Sequence, residues 1–179
     1  MSKKLSILTT SNPADKEILR TVSLPVDFHG RNKDNYHQIV DQMIKALQCK
    51  PYSLGLSAVQ IGLLKRIFVI NLKTFPKVKK EVLHLSKYSI KNNFLIVINP
   101  VILEKSLEKV HFYEGCFSIP NKEILVSRPK RILVSFQDCK QNQISLWLED
   151  GMSIIFQHEL DHLDGKLMTD YINLSLQAR

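Results

Sequence analysis

One nine-residue segment, QHELDHLDG at residues 157–165, constrains this chain more than any other. His158 and His162 are four residues apart, so on a helix they lie one above the other on the same face. Glu159 follows the first histidine and lies at the edge of that face, where it can reach a water beside a metal ion without binding the metal. A bare histidine pair is often only a solvated helix face. With Glu159 in this position, the pattern predicts a helix that carries two metal ligands and a general base.

Two histidines need at least a third protein ligand, and a catalytic site also keeps one position open. The extended pattern H-E-x-x-H-x-x-G-x-x-H would supply a third histidine, but Met168 occupies that position, and no glutamate follows Glu159. Asp164 is only two residues past a ligand, and Asp170 belongs to a short tail. We therefore expect the third ligand to come from upstream, where the chain has three cysteines.

The three cysteines differ in their sequence context. Cys116 follows a glycine in a turn-prone segment, and a thiolate there could bind the metal, which would deprotonate it. Taken alone, Cys116 is more typical of a small buried side chain. Cys49 ends a helix away from its apolar stripe and is interpreted as inert, and Cys139 is predicted to be an exposed non-ligand in a polar turn. An odd number of cysteines without framework spacing favours reduced thiols over disulfides.

Length and composition are typical of an ordinary globular protein. The 179 residues, 44% hydrophobic and 23% charged, suit a single domain over residues 1–179. No apolar run is long enough to cross a membrane, and the apolar stretch near residue 5 is too short for a signal peptide. We therefore expect a cytoplasmic monomer that does not bind membranes.

Part of the formal net charge of +8 comes from a lysine-rich segment at residues 73–93. Its lysines are Lys73, Lys77, Lys79, Lys80, Lys87 and Lys91. Such a cluster favours an exposed loop, and the alternative is weak attraction to a polyanion such as RNA. Because no aromatic residues are interleaved for base stacking, we expect no specific nucleic-acid ligand.

The remaining patterns predict an α+β fold. Residues 1–32 show little periodicity, whereas apolar residues at helical spacing from Tyr36 to Leu47 predict one N-terminal amphipathic helix. About six strands are predicted, at residues 67–72, 94–98, 110–113, 124–127, 131–136 and 144–148. A C-terminal helix is predicted to start near Asp150. Because the strands cluster instead of alternating with helices, we predict mostly antiparallel strands wrapped around the C-terminal metal-ligand helix.

Small residues crowd the apolar segment 53–62. Gly55 allows another backbone or a ligand to approach closely. Gln60, taken alone, is typical of a core-facing side chain in a tight turn. Beside a metal site, its amide becomes a candidate donor to a developing oxyanion.

Three segments resemble the motifs of peptide deformylases, which remove the N-terminal formyl group from nascent proteins. The family's motifs are G-x-G-x-A-A-x-Q, E-G-C-[LM]-S and Q-H-E-x-D-H-[LV]-x-G. Here they read SLGLSAVQ at 53–60, EGCFS at 114–118 and QHELDHLDG at 157–165, and the third match is complete. Their order, their spacing and the chain length also fit, so the resemblance covers nearly the whole chain.

This resemblance implies a role for each matching residue. The implied metal ligands are Cys116, His158 and His162. They would hold one divalent ion, typically Fe²⁺, with Zn²⁺, Ni²⁺ or Co²⁺ also able to occupy the site. Glu159 would be the acid/base residue, and the Gln60 amide and the backbone N–H of Phe117 would hold the oxyanion.

The resemblance also implies a cleft for the formyl-methionine end of a nascent polypeptide. Gly55 would line this cleft, and a Glu114–Arg128 ion pair would support the ligand loop. The methionine side-chain pocket would be lined by Leu54, Phe117, Ile154, Ile155 and His158. Weak association of the lysine-rich segment with the ribosome is a further expectation.

The chain departs from the family's motifs at several positions. Ser53 and Ser57 place hydroxyls where the family has glycine and alanine, and Ser153 stands where alanine is common. Phe117 is larger than the usual leucine or methionine, which changes the shape of a packed site. We expect none of these residues to touch a metal ligand or the base, so they would affect substrate range and rate and leave the chemistry unchanged.

Two other functions stay open on the sequence. A metallopeptidase could use the same helix, would cleave internal peptide bonds and would not need Cys116. A metal-stapled domain without activity would have a closed coordination shell. Glu159 argues against this second alternative, because a structural site has no use for a base.

Overall fold

The computed structural model describes residues 6–29, 35–48, 50, 52–75 and 89–172. Cys49 and residues 76–88 of the lysine-rich segment, with Lys77, Lys79, Lys80 and Lys87, lie outside these ranges. The described ends of the predicted loop 73–93 are partly regular. A 3₁₀ turn spans Leu72–Thr74 and a short strand spans Ile90–Lys91.

Within the described residues the chain forms three α-helices and eight β-strands. The helices are α1 (Pro13–Leu19), α2 (Tyr36–Gln48) and α3 (Asp150–Leu163). The strands are β1 (Gly55–Ser57), β2 (Ile67–Asn71), β3 (Ile90–Lys91), β4 (Phe94–Lys105), β5 (Lys109–Cys116), β6 (Ile119–Pro129), β7 (Arg131–Gln137) and β8 (Gln143–Glu149). Further 3₁₀ turns span Ala58–Ile61 and Met168–Tyr171. None of the described helices is long and apolar enough to cross a membrane.

All pairings between the named strands are antiparallel. The larger sheet has the order β1-β2-β4-β7-β8, with β3 beside β4, and β5 and β6 form a separate two-stranded sheet. The predicted α+β class with mostly antiparallel strands is therefore confirmed. The six predicted strands correspond to β2 and β4–β8, while the two shortest strands, β1 and β3, were not predicted.

The larger sheet is packed on both faces, which explains why the first four residues of β2 are all apolar and buried. Phe68 and Ile70 belong to the cluster that includes the apolar residues of α3, while Ile67 and Val69 belong to the cluster that includes those of α2. Side chains alternate between the two faces of a strand, so this short strand contributes side chains to both apolar clusters. The Phe68 and Phe156 rings meet edge to face at 4.9 Å. These contacts fix α3 against the sheet by its apolar side.

Helix α1 falls in the region where no element was predicted. Asn12 accepts hydrogen bonds from the backbone N–H groups of Ala14 (2.9 Å) and Asp15 (3.4 Å), and Pro13 occupies the first helical position. This is a common N-terminal capping pattern. The helix has only seven residues, too few for apolar periodicity to show. Its last residue, Leu19, is fully buried.

Gly165, two residues after the last residue of helix α3, is in the left-handed conformation. The φ angle of Gly165 is +69°, its N–H donates to His162 O (3.2 Å), and Lys166 N–H donates to Asp161 O (2.8 Å). This pair of bonds satisfies two of the last helix carbonyls. A Cβ atom at Gly165 would lie 2.3 Å from the backbone oxygen of Arg20. The end of the ligand helix is therefore fitted closely to the segment after α1.

We expect Gly165→Ala to lower the free energy of unfolding by at least about 2 kcal/mol. The left-handed conformation costs a non-glycine residue about 1 kcal/mol or more, and the clash with a backbone atom adds to this cost. Urea denaturation measures the change. Gly115→Ala is the matched control, because a Cβ at Gly115 meets nothing within 4 Å. Equal stabilities of the two variants would contradict the prediction.

Candidate metal centre

Cys116, His158 and His162 converge on one point. One donor atom from each lies within 4.8 Å of the other two, and Cys116 Sγ is 3.2 Å from His162 Nε2. The two histidines are buried on α3, and neither belongs to the apolar cluster between α3 and the sheet. Cys116 ends β5, and the register of β5 with β6 shifts between Gly115 and Cys116. Such irregularities re-aim a side chain, and here the thiol meets the helix.

Behind His158 lies a buried chain of charged groups. His158 Nδ1 is 2.8 Å from Glu114 Oε2, and Arg128 donates to Glu114 from Nε (2.5 Å) and Nη2 (2.9 Å). Arg128 Nη1 also donates to Asp161 Oδ2 (2.8 Å), which accepts a second bond from the Tyr171 hydroxyl (2.8 Å). Burial opposes ionisation of Glu114, but Arg128 and His158 outweigh it and lower its pKa to about 2. A carboxylate behind a histidine fixes the ring and its tautomer, which leaves Nε2 of His158 for a ligand.

The donor set fits a transition-metal ion. Burial alone would raise the pKa of the Cys116 thiol, yet the two imidazoles bring it well below its usual value. Burial would likewise lower the pKa of His158, but the Cys116 thiolate and Glu114 raise it well above the usual value. A sulfur whose deprotonation the imidazoles favour and two ring nitrogens thus lie next to the same small space. Thiolate and imidazole together are typical ligands of iron, zinc, cobalt and nickel.

Glu159 lies beside this group and is almost fully buried at 2% exposure. The Ser57 hydroxyl is 2.6 Å from Glu159 Oε2. A Cβ added at Gly55 would lie 2.6 Å from Glu159 Oε1, so only glycine leaves room for the carboxylate there. Burial raises the pKa of Glu159, against the effect of the two histidines and of Ser57. The expectation that Ser57 would not touch the base is therefore wrong.

Gln60 reaches the same group from the 3₁₀ turn that follows β1. Its Oε1 accepts from the backbone N–H of Ser57 (2.8 Å), which orients the amide. Its Nε2 then faces Ser118 Oγ (3.1 Å) and Cys116 Sγ (3.6 Å). Gln60 is 2% exposed, so its amide is held inside the protein next to the Cys116 thiol.

A cavity of about 980 Å³ is lined by Gln60, Cys116, His158 and Glu159. It is lined by every residue that was predicted for substrate binding: Gly55, Leu54, Phe117, Ile154, Ile155 and His158. Phe117 also packs against the α2 cluster, and Lys50 Nζ lies 5.7 Å from its ring centroid. The exposed aromatic residues of the cavity wall, Tyr52, Phe112 and Tyr113, were not predicted. No periodicity distinguishes such edge residues from other surface residues.

The model of the polypeptide deformylase family matches residues 5–177 of this chain. The chain belongs to the peptide deformylase family. It is a hydrolase family, and its motifs coincide with the residues that converge here.

Curated members of the family are similar to the chain over most of its length. The peptide deformylase of Rickettsia canadensis is 37% identical over 141 residues, which cover 78% of this chain and 75% of the relative. The peptide deformylase of Finegoldia magna is 37% identical over 159 residues, which cover 88% of this chain and 86% of the relative.

Solved structures of the family have the same fold. The crystal structure of peptide deformylase from Thermotoga maritima is 28% identical, with a TM-score of 0.73, and the match covers 94% of this chain and 97% of that one. The crystal structure of a peptide deformylase from Plasmodium falciparum is 34% identical, with a TM-score of 0.72. The match covers 93% of this chain and 85% of that one.

Two other departures from the peptide deformylase motifs, Ser53 and Ser153, form hydrogen bonds with backbone carbonyls outside the donor group. Ser53 donates to Lys50 O (3.0 Å), and Ser153 donates to Pro129 O (2.9 Å). Cys139 was predicted to be exposed, but it is half-buried against the α2 cluster, where burial raises the pKa of its thiol to about 11. These side chains contribute to local packing.

We expect Arg128→Met to lower the free energy of unfolding by about 3–5 kcal/mol, because it leaves the buried Glu114 and the half-buried Asp161 without their cation. The Arg128 side chain is 3% exposed. Thermal and urea denaturation measure the loss. The matched control is Arg20→Met, which breaks the Arg20–Asp170 pair, whose side chains are 37% and 39% exposed. That surface pair contributes about 1 kcal/mol or less, so similar losses in both variants would contradict the prediction.

Proposed function

We propose that this chain removes the formyl group from the N-terminal formyl-methionine of nascent polypeptides and releases formate. One observation carries the proposal: a thiol and two imidazoles converge, and the thiol, one of these imidazoles and a buried carboxylate line a cavity large enough for a peptide. Membership of the peptide deformylase family agrees with it.

Cys116, His158 and His162 would hold one divalent ion. We propose Fe²⁺ as the native ion, with Zn²⁺, Ni²⁺ or Co²⁺ able to replace it, because thiolate and imidazole accept all four. When bound, such an ion polarises a carbonyl oxygen and lowers the pKa of water.

The side chains of the site would then transfer the proton and stabilise the developing negative charge. Glu159 takes a proton from the attacking water and passes it to the leaving amine, as one group acting first as base and then as acid. The Gln60 amide and the Phe117 N–H donate to the oxygen that becomes negative as the formyl carbon is attacked. Donors that are already fixed, such as Gln60 through Ser57 N–H, need little reorganisation at that moment.

The methionine side chain would lie in the apolar part of the cavity, against Leu54, Ile154 and Ile155, with Gly55 beside the peptide backbone. The open end of the cavity would let the rest of the nascent chain leave the site. We further propose that residues 1–179 act as one catalytic domain. A cytoplasmic location, a monomeric state and weak ribosome association stay predictions.

A metallopeptidase is the competing function. It would use His158, His162 and Glu159 and would leave Cys116 without a role. The 3.2 Å distance from Cys116 Sγ to His162 Nε2 favours the deformylase.

An assay with two matched peptides tests the proposal. Protein purified without oxygen and loaded with Fe²⁺, Zn²⁺, Ni²⁺ or Co²⁺ is incubated with formyl-Met-Ala-Ser and with acetyl-Met-Ala-Ser. We expect formate from the first peptide, little acetate from the second, and intact internal bonds by mass spectrometry. Absence of formate with all four metals would exclude the proposed function, and internal cleavage would establish the metallopeptidase.

A further inference from the structure

We propose that the Ser57 hydroxyl is a positioning residue for the Glu159 carboxylate. The inference rests on the proposed function of Glu159 as the base. Ser57 stands where the family's first motif has alanine, a side chain without a hydroxyl.

The contact is short and lies inside the protein. Ser57 Oγ is 2.6 Å from Glu159 Oε2 and 2.9 Å from the backbone oxygen of Glu159. Ser57 is fully buried and Glu159 is 2% exposed. A hydroxyl has one proton to donate, and the shorter distance and the charge of a carboxylate both favour Oε2 as its acceptor. Water has little access to replace this bond.

The second carboxylate oxygen is confined by the same strand. A Cβ at Gly55 would lie 2.6 Å from Glu159 Oε1, so the backbone of β1 lies directly against that oxygen. Strand β1 therefore confines both carboxylate oxygens of Glu159. The Ser57 hydroxyl lies beside Oε2, and Gly55, which has no side chain, lies beside Oε1. The terminal torsion of a glutamate is otherwise broad and allows the carboxylate to rotate.

Ser57 also links the base to the candidate oxyanion donor. Its backbone N–H donates to Gln60 Oε1 at 2.8 Å, while its side chain holds Glu159. An alanine at position 57 keeps the first contact and loses only the second. The substitution thus separates the effect of the hydroxyl on the base from the orientation of Gln60.

The expected loss is moderate, because the family's motif has alanine at this position. In metal-loaded Ser57→Ala we expect kcat for formate release to fall about tenfold, the usual effect of one hydrogen bond to a charged group. KM should change less than twofold, and metal content should match the wild type, because Ser57 contacts neither the donor atoms nor the apolar pocket.

Ser153→Ala is the matched control. Ser153 is also a fully buried serine at a position where alanine is common, but its hydroxyl donates to Pro129 O. We expect its kcat to equal that of the wild type. A second test places Ser57→Ala in a Glu159→Gln background, where the hydroxyl has no base to position and the residual rate should change less than twofold. An unchanged kcat in Ser57→Ala, a rise in KM alone, or a full tenfold loss in the Glu159→Gln background would overturn the proposal.

Crystal structures of metal-loaded wild type and Ser57→Ala give a readout that does not depend on activity. We expect one ordered Glu159 carboxylate in the wild type and a rotated or multiple one in the variant, with Gln60 unmoved. An identical carboxylate in both would overturn the proposal. If the wild type released no formate, the proposed function would fail, while this comparison would still decide whether Ser57 positions Glu159.

Discussion

Replacing Glu159 by glutamine is expected to lower kcat for formate release by about 10³-fold, since general acid–base catalysis by one group contributes about 10²–10⁴. Glutamine has nearly the same size and can still accept a hydrogen bond from Ser57, but it cannot take up a proton from water. Because Glu159 is not one of the three donors that converge, we expect the bound metal to stay at the wild-type level.

The measurement needs kinetics and elemental analysis on the same samples. Glu108→Gln is the matched control, because Glu108 forms a surface pair with Lys130 and its side chain is 67% exposed. Wild-type turnover by fully loaded Glu159→Gln would exclude Glu159 as the base. A parallel loss of metal would show that the carboxylate contributes to binding the ion.

Replacing Cys116 by serine is expected to weaken metal binding by at least about 100-fold, because even groups that only support ligands contribute about 10–100-fold. A serine hydroxyl stays protonated where the two imidazoles favour a thiolate. Formate release should fall in proportion to the bound metal. The stabilisation that metal gives the folded protein, which grows with the ratio of free metal to Kd, should fall as well.

Competition with a coloured chelator measures the affinity, and melting curves with and without Zn²⁺ measure the stabilisation. Cys139→Ser is the matched control, since this half-buried thiol packs against the α2 cluster instead of the histidines. Stoichiometric, tightly bound metal in Cys116→Ser would contradict a three-ligand site. It would favour a site built on the two histidines alone.

Much of this site could be predicted from local sequence. The spacing of His158 and His162 places both on one face of any helix, and the helix itself follows from its apolar residues. The six longer strands have runs of β-branched and aromatic residues that indicate strands wherever they occur. The residues alone pointed upstream for the third ligand and favoured Cys116 over Cys49 and Cys139, and the resemblance implied the same ligand.

Other parts depend on contacts between distant segments and could not be predicted. The Ser57–Glu159 bond joins residues 102 positions apart, and nothing near Ser57 in the sequence indicates which side chain it meets. The pair of Arg128 with Glu114 was expected, but the sequence near Arg128 does not indicate its bond to Asp161 or its contact with Tyr171. Strands β1 and β3 are too short to show alternation. They form by pairing with β2 and with the first two residues of β4, which the pairing of β4 with β7 does not reach.

The late position of α3 in the chain has a consequence for biosynthesis. Phe68, Phe136 and the other apolar residues on that side of the sheet are covered by a helix that begins only at Asp150. Until the ribosome has made this helix, a growing chain presents an uncovered apolar sheet, which is the kind of surface that aggregates or recruits chaperones. The core on that side of the sheet should therefore close only once α3 has been made, and slowly, since pairings between remote segments must form first.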